Sequence, residues 1–176
     1  IYGDVRLYDE QGTGIHFYTN REDTIADQEM TVELSRIDLK QFKKVLPYLP
    51  DVEGWLGGSL HYVDSEGQMM LSADMNLDNF VYEKSPLGNW TMSGAYLPGD
   101  NNAHHVDGFI TYNDQEIIYM NGVYQADETG QENITGELEL QHFPLRVTNP
   151  FIPEKMVAFT GDIDGTLSMT GSPMKP

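Results

Sequence analysis

At 176 residues and 39% hydrophobic content, the chain is long enough for one ordinary domain or a few repeated units. Ten Lys and Arg against 28 Asp and Glu leave a net charge of −18, a field that repels nucleic-acid backbones and anionic headgroups. Cysteine is absent, which excludes disulfides and thiolate metal sites, and no apolar run approaches the ~18–20 residues of a membrane-crossing helix.

Period-two alternation dominates, the mark of strands with one buried face. Weak alternation over residues 1–7, 15–19 and 30–34 predicts three opening strands. Residues 38–46 then carry helical spacing: Leu39, Phe42 and Val45 or Leu46 share a face behind an Asp38 N-cap, and Pro47 ends the helix. The chain turns through Pro47-Tyr48-Leu49-Pro50 and continues as Gly54-Trp55-Leu56-Gly57-Gly58-Ser59-Leu60. After a Glu66-Gly67 turn, Met69, Leu71, Ala73, Met75 and Leu77 alternate with polar residues, up to a break at Asp78-Asn79. Residues 98–105 read as an exposed polar loop, the simplest home for His104 and His105. Weaker strands follow over 106–112 and 117–124, with turn chemistry at Asn113-Asp114 and Glu128-Thr129-Gly130. Ile134, Gly136, Leu138 and Leu140, and later Ile163, Leu167 and Met169, restore strong alternation. The expected fold is all-β: repeated antiparallel strands in an open trough or solenoid-like sheet, with one or two short helices.

The Pro corner occurs twice. Pro47 and Pro50 precede Gly54, Gly58 and Leu60; Pro150 and Pro153 precede Gly161, Gly165 and Leu167. The shared form P-x-x-P, then G-x-Φ-x-G-x-L, recurs after roughly 105 residues, an internal repeat. It divides the chain into strands of a preceding unit (1–37), a first unit of helix, Pro corner and strands (38–142), and the start of a second (143–176). Opening on Ile1 and closing on Gly171-Ser172-Pro173-Met174-Lys175-Pro176, the sequence reads as a piece cut from a larger exported protein, with any signal or membrane anchor outside it.

The closing stretch, Thr160-Gly161-Asp162-Ile163-Asp164-Gly165-Thr166-Leu167-Ser168-Met169-Thr170-Gly171-Ser172-Pro173-Met174-Lys175-Pro176, resembles the recurring G-x-Φ-x-G-x-L-x-Φ-x-G-S/T-P-x-K-P unit of the TamB/AsmA-like translocation and assembly family. Residues 143–153 resemble that family's short helix and corner, whereas the copy at Gly54 lacks the Gly-Ser-Pro-x-Lys-Pro ending. The resemblance implies a slice of a long periplasmic protein, anchored at the inner membrane and reaching toward the outer one. Its stacked strands would form a trough with an apolar interior. It further implies phospholipid transport, outer-membrane protein assembly including autotransporter secretion, and an outer-membrane assembly partner.

A physical argument runs alongside. Holding a ~16-carbon acyl chain in water costs on the order of 10 kcal/mol, so a periplasmic carrier needs a continuous apolar groove. The candidate lining, for phospholipid acyl chains or outer-membrane strands, is Met69, Leu71, Met75, Leu77, Leu138, Leu140, Ile163, Leu167 and Met169. Nine adaptable methionines and the small Ala73, Gly136 and Gly165 favour an accommodating surface. The same stripes suit a self-packed solenoid or adhesin-like spacer. Trp55, Trp90, Tyr96, Tyr112, Tyr119 and Tyr124 offer a third reading, a carbohydrate platform.

Catalytic motifs are lacking: no nucleophile elbow, phosphate loop, dinucleotide fingerprint or His-Glu-x-x-His is present, and Gly57-Gly58-Ser59 falls inside a strand. Asp162-Ile163-Asp164-Gly165 has only half of a calcium loop, without a closing Glu. His104-His105 beside Asp107 suggests a metal or pH site, but neighbouring strand residues face opposite ways, and His16, His61 and His142 lack ligand spacing. The expectation is therefore a non-enzymatic protein without cofactor or metal.

Overall fold

The computed structural model describes residues 3–19, 28–126, 132–153 and 157–172. Ile1 and Tyr2, the Glu128-Thr129-Gly130 turn and residues 173–176 of the closing motif lie outside them. Ten antiparallel strands form one open sheet whose spatial order equals their sequence order, as the all-β expectation requires. They are β1 (Asp4–Tyr8), β2 (Gly14–Tyr18), β3 (Gln28–Asp38), β4 (Val52–Ser65), β5 (Gln68–Tyr82), β6 (Ser85–Pro98), β7 (Ala103–Tyr112), β8 (Gln115–Ala126), β9 (Glu132–Pro144) and β10 (Asp162–Gly171). The hairpins β4–β5, β5–β6 and β7–β8 turn through paired positive-φ residues, Glu66-Gly67, Glu83-Lys84 and Asn113-Asp114, whose twist suits adjacent antiparallel strands.

Between β3 and β4 the predicted helix is a 3-10 turn, Leu39–Gln41, running into one α-helical turn, α1 (Phe42–Val45). Asp38 caps it by accepting from the Lys40 N–H. Its apolar face is only partly covered: Leu39 and Leu46 are half-buried, while Val45 is 77% exposed and Phe42 is exposed too. Between β9 and β10 a longer 3-10 helix, Leu145–Phe151, contains Pro150 and buries Val147 to 5% exposure.

The expected loop over residues 98–105 is shorter than its polar composition suggests. Only residues 99–102 leave the sheet, and His104 and His105 belong to β7, paired with Pro98 and Leu97. Composition misleads here because two histidines and two asparagines look like loop chemistry, while the ladder hydrogen bonds decide otherwise.

The strands bulge at the corner end. Arg36 in β3, Asn79 in β5 and His142 in β9 hold φ near +50°, and at each the strand carries one residue more than its partner. A left-handed non-glycine residue costs on the order of 1–3 kcal/mol, so such positions persist where the surroundings hold them. The Asn79 N–H donates to Asn89 Oδ1, the Asn89 N–H to Asn113 Oδ1, and the His142 N–H to Asp164 Oδ1 at 2.7 Å. Asn89 and Asp164 are each the single residue facing a bulge.

Candidate apolar groove

Cross-strand partners share a face, so the register fixes what each face presents. One row runs Val5, Phe17, Val32, Leu60, Ala73, Gly94, Gly108, Met120, Leu138 and Leu167, apolar through all ten strands. The next runs Leu7, Ile15, Leu34, Gly58, Met75, Met92, Ile110, Ile118, Leu140 and Gly165, and a third runs from Met30 through Tyr62, Leu71, Tyr96, Val106, Gly122 and Gly136 to Met169. The opposite face is polar: one of its rows reads Arg6, His16, Glu33, Ser59, Asp74, Ser93, Phe109, Tyr119, Glu139 and Thr166.

All nine candidate lining residues fall on the apolar face: Met69, Leu71, Met75 and Leu77 on β5, Leu138 and Leu140 on β9, Ile163, Leu167 and Met169 on β10. Little covers it. Leu7 is 68% and Leu167 69% exposed, with Val5, Ile15, Leu60, Met69, Leu71, Met92, Val106 and Met169 also exposed. Among the described residues the buried hydrophobic ones are Leu87, Ala103, Ile117 and Val147. A soluble surface rarely exposes so large a contiguous apolar area without a partner.

Gly94, Gly108, Gly122 and Gly136 on four successive strands recess the middle of this face. A Cβ at Gly122 or Gly136 would meet only ordinary van der Waals neighbours, so nothing in the sheet forces glycine there. Gly58 differs. Its φ is +133° and an added Cβ would lie 2.1 Å from the Asp74 carbonyl oxygen, so only glycine fits.

At the corner end the 3-10 helix Leu145–Phe151 leans over the face and closes a recess of about 450 Å³. Leu56, Leu77, Phe80, Leu87 and Trp90 form one wall, Phe143, Val147 and Phe151 the other, and no charged side chain lines it. Phe151 packs on Tyr82 with ring centroids 4.6 Å apart, and Arg146 lies over the Tyr112 ring at 5.8 Å. A hydrogen bond from Arg146 to Tyr112 holds the guanidinium above its usual pKa. The recess residues escape the alternation because Phe80 and Leu87 flank bulges and the other wall comes from a 3-10 helix. The only signal in the sequence is the i, i+4 spacing of Val147 and Phe151.

At the far end His104 sits between Tyr96 and Tyr124, each 5.7 Å away, with 2.6 Å between Tyr96 Oη and His104 Nδ1. A hydrogen bond to Glu132 raises the Tyr124 pKa above its ordinary value. The six aromatic residues of the carbohydrate reading do not gather. Trp90 pairs with Tyr112 at the corner end, Tyr96 and Tyr124 flank His104, and Trp55 and Tyr119 lie on the polar face. The Asp162-Ile163-Asp164-Gly165 stretch also acts locally, Asp164 engaging both the backbone and the Nδ1 of His142. His61 bonds Thr31 and Glu29, and His16 lies between Asp4 and Glu33. Among the described residues no three His, Asp or Glu side chains converge as metal ligands.

The two Pro corners occupy equivalent places. β3–β4 and β9–β10 each join a strand with a left-handed bulge to a strand carrying the G-x-L element through a helical excursion and two prolines; both prolines follow the helix at the first corner, whereas at the second Pro150 lies inside it and Pro153 follows. The sheet is continuous across the expected unit boundaries. Comparisons with family models, curated proteins and solved structures returned no match.

Proposed function

We propose that this chain is a segment of a periplasm-spanning, TamB/AsmA-like envelope-biogenesis protein, whose apolar sheet face receives phospholipid acyl chains or the apolar side of unfolded outer-membrane strands. The observation that carries this reading is the apolar ladder running through all ten strands and left largely uncovered. Each CH₂ laid on that face gains about 0.8 kcal/mol, so a whole acyl chain repays its removal from a bilayer only on a surface this continuous. The shallow glycine floor and the methionines Met75, Met92 and Met120 suit cargo that varies in shape. A spacer packed by its own side chains is the weaker reading, because the three rows face outward rather than into a filled interior.

Native mass spectrometry of the purified chain should find co-purifying phospholipid, and a photo-crosslinker at Met120 should label it. Leu138→Asp, which places a carboxylate opposite Met120, should abolish that labelling in a chain that remains folded by circular dichroism. Lipid-free protein, or unchanged labelling in the folded variant, would overturn the proposal.

A further inference from the structure

At the corner end the apolar face becomes an enclosure. The recess there, about 450 Å³, far exceeds the ~150 Å³ cavity that takes a single benzene-sized group, so it has room for a length of chain rather than one side chain. Met75, Met92 and Ile110 line it and also belong to the second apolar row, so it opens directly onto the face.

The chemistry of the lining narrows the guest. No charged side chain lines the recess, and its polar side chains are already engaged: Thr91 with Thr111 at 2.6 Å, the Thr148 hydroxyl with the Leu145 carbonyl at 2.7 Å, and the Asn76 amide with Asp78 at 2.9 Å. The backbones of β5, β6 and β7 are committed to their ladders. A polypeptide strand entering would bury peptide N–H and C=O groups without partners, residue after residue, whereas an alkyl chain has none to satisfy.

From the recess a strip of the face runs along the strands. Met92 and Ile110, then Gly94 and Gly108, then Tyr96 and Val106 face each other in turn on β6 and β7. A Cβ added at Gly94 would meet only the Asp107 carbonyl oxygen, at 3.4 Å, so this step lies open. The strip ends at half-buried Tyr96, His104 and Tyr124, where hydroxyls and an imidazole gather. Trp90 in the recess and Tyr96 are six residues apart, ~20 Å at ~3.3 Å each. An acyl chain fills half of the ~30 Å hydrocarbon core of a bilayer and reaches further when straightened. The net charge of −18 selects among headgroups, repelling an anionic one and tolerating a zwitterionic one.

We propose that the recess and this strip form a site for one acyl chain of a zwitterionic phospholipid, with its methyl end beneath the helix Leu145–Phe151, its length along β6 and β7, and its ester and headgroup at Tyr96, His104 and Tyr124. The site rests on the lipid reading of the apolar face and selects phospholipid over unfolded outer-membrane strands. The chain lies along the strands rather than across the ladders.

Two isomers of a photoactivatable phosphatidylcholine, one with a diazirine at the acyl terminus and one with it beside the ester, test this on the purified chain. Peptide mass spectrometry should find the terminal probe on residues 143–151 and the ester probe at Tyr96, His104 or Tyr124. Met92→Trp, at an exposed position on the mouth of the recess, should cut the terminal label on 143–151 by about tenfold or more in a chain that remains folded by circular dichroism. Identical label sites for the two isomers, or terminal labelling spread out to the end strands, would overturn this site and leave acyl binding to the face standing. A photo-labelled apolar strand peptide that marks 143–151 more strongly than the lipid would overturn the choice of guest. Labelling by neither isomer would remove the site and the lipid reading together.

Discussion

The two corners of this sheet follow one plan and reach different ends. At the first, Phe42, Val45 and Tyr48 are exposed while Leu39 and Leu46 are half-buried; at the second, Val147 is buried and Phe151, itself 58% exposed, packs on Tyr82 at the rim of the apolar recess. The first corner is tied by polar contacts at its surface, Lys40 to Glu53 and Lys43 to Asp51, and by the Asp38 cap. The second is tied by burial, with Asn149 holding both the N–H and the carbonyl of Phe159. Both connections thus leave the sheet after a bulged strand and re-enter it in a strand carrying the G-x-L element. The few apolar residues between decide whether the excursion covers the face.

The largest expected effect breaks this difference directly. Val147→Ala should cost about 2–3 kcal/mol by emptying the recess wall, read as a lower urea midpoint and faster exchange of β9 and β10 amides. Val45→Ala at the first corner should stay within about 0.5 kcal/mol of the parent. Equal effects at the two positions would mean that the second helix does not seat as described.

A smaller effect separates the bulges. Asp164→Ala removes the acceptor facing the His142 N–H and should cost about 1 kcal/mol, seen as local loss of exchange protection around residues 140–143. Facing the Arg36 bulge of β3 is Gly57 on β4, which has no side chain to give, so no equivalent substitution exists there.

The smallest effect lies at the β1 edge. Hydrogen bonds from Arg6, then His16, hold the Asp4 carboxyl below the usual carboxylate range. A depressed folded-state pKa contributes stability that is present above the ordinary value of about 3.9 and is lost as pH falls through the depressed one. Carbon-detected NMR titration should place Asp4 below the ordinary carboxylate value, with β1 amides exchanging faster once it is protonated.

Much of the fold could be read from alternation, because a sheet with one wet face writes itself in every second residue. Met69 to Leu77, Leu138 with Leu140, and Leu167 with Met169 all landed on the same face for that reason. What alternation could not show were the places where its phase slips. Arg36, Asn79 and His142 adopt a left-handed backbone without being glycine, because a neighbouring strand imposes it. The recess was hidden similarly: Leu87 and Ile117 are buried as bulged residues, and Val147 only because its helix folds back over distant strands. At His104 and His105 composition argued for a loop, and the pairing with β6 and β8 overrode it.

Strand order equal to sequence order also governs how this sheet assembles in time. Each strand finds its partner across a single hairpin or corner, so no long loop must close before contacts form, and growth can proceed strand by strand from any nucleus. The long β4–β5–β6 meander, with the most extensive pairing in the sheet, is the natural place to begin. Loss runs the other way, from the pairs with the shortest ladders, such as the five-residue β1–β2 pair, while the long β4–β5 pair persists.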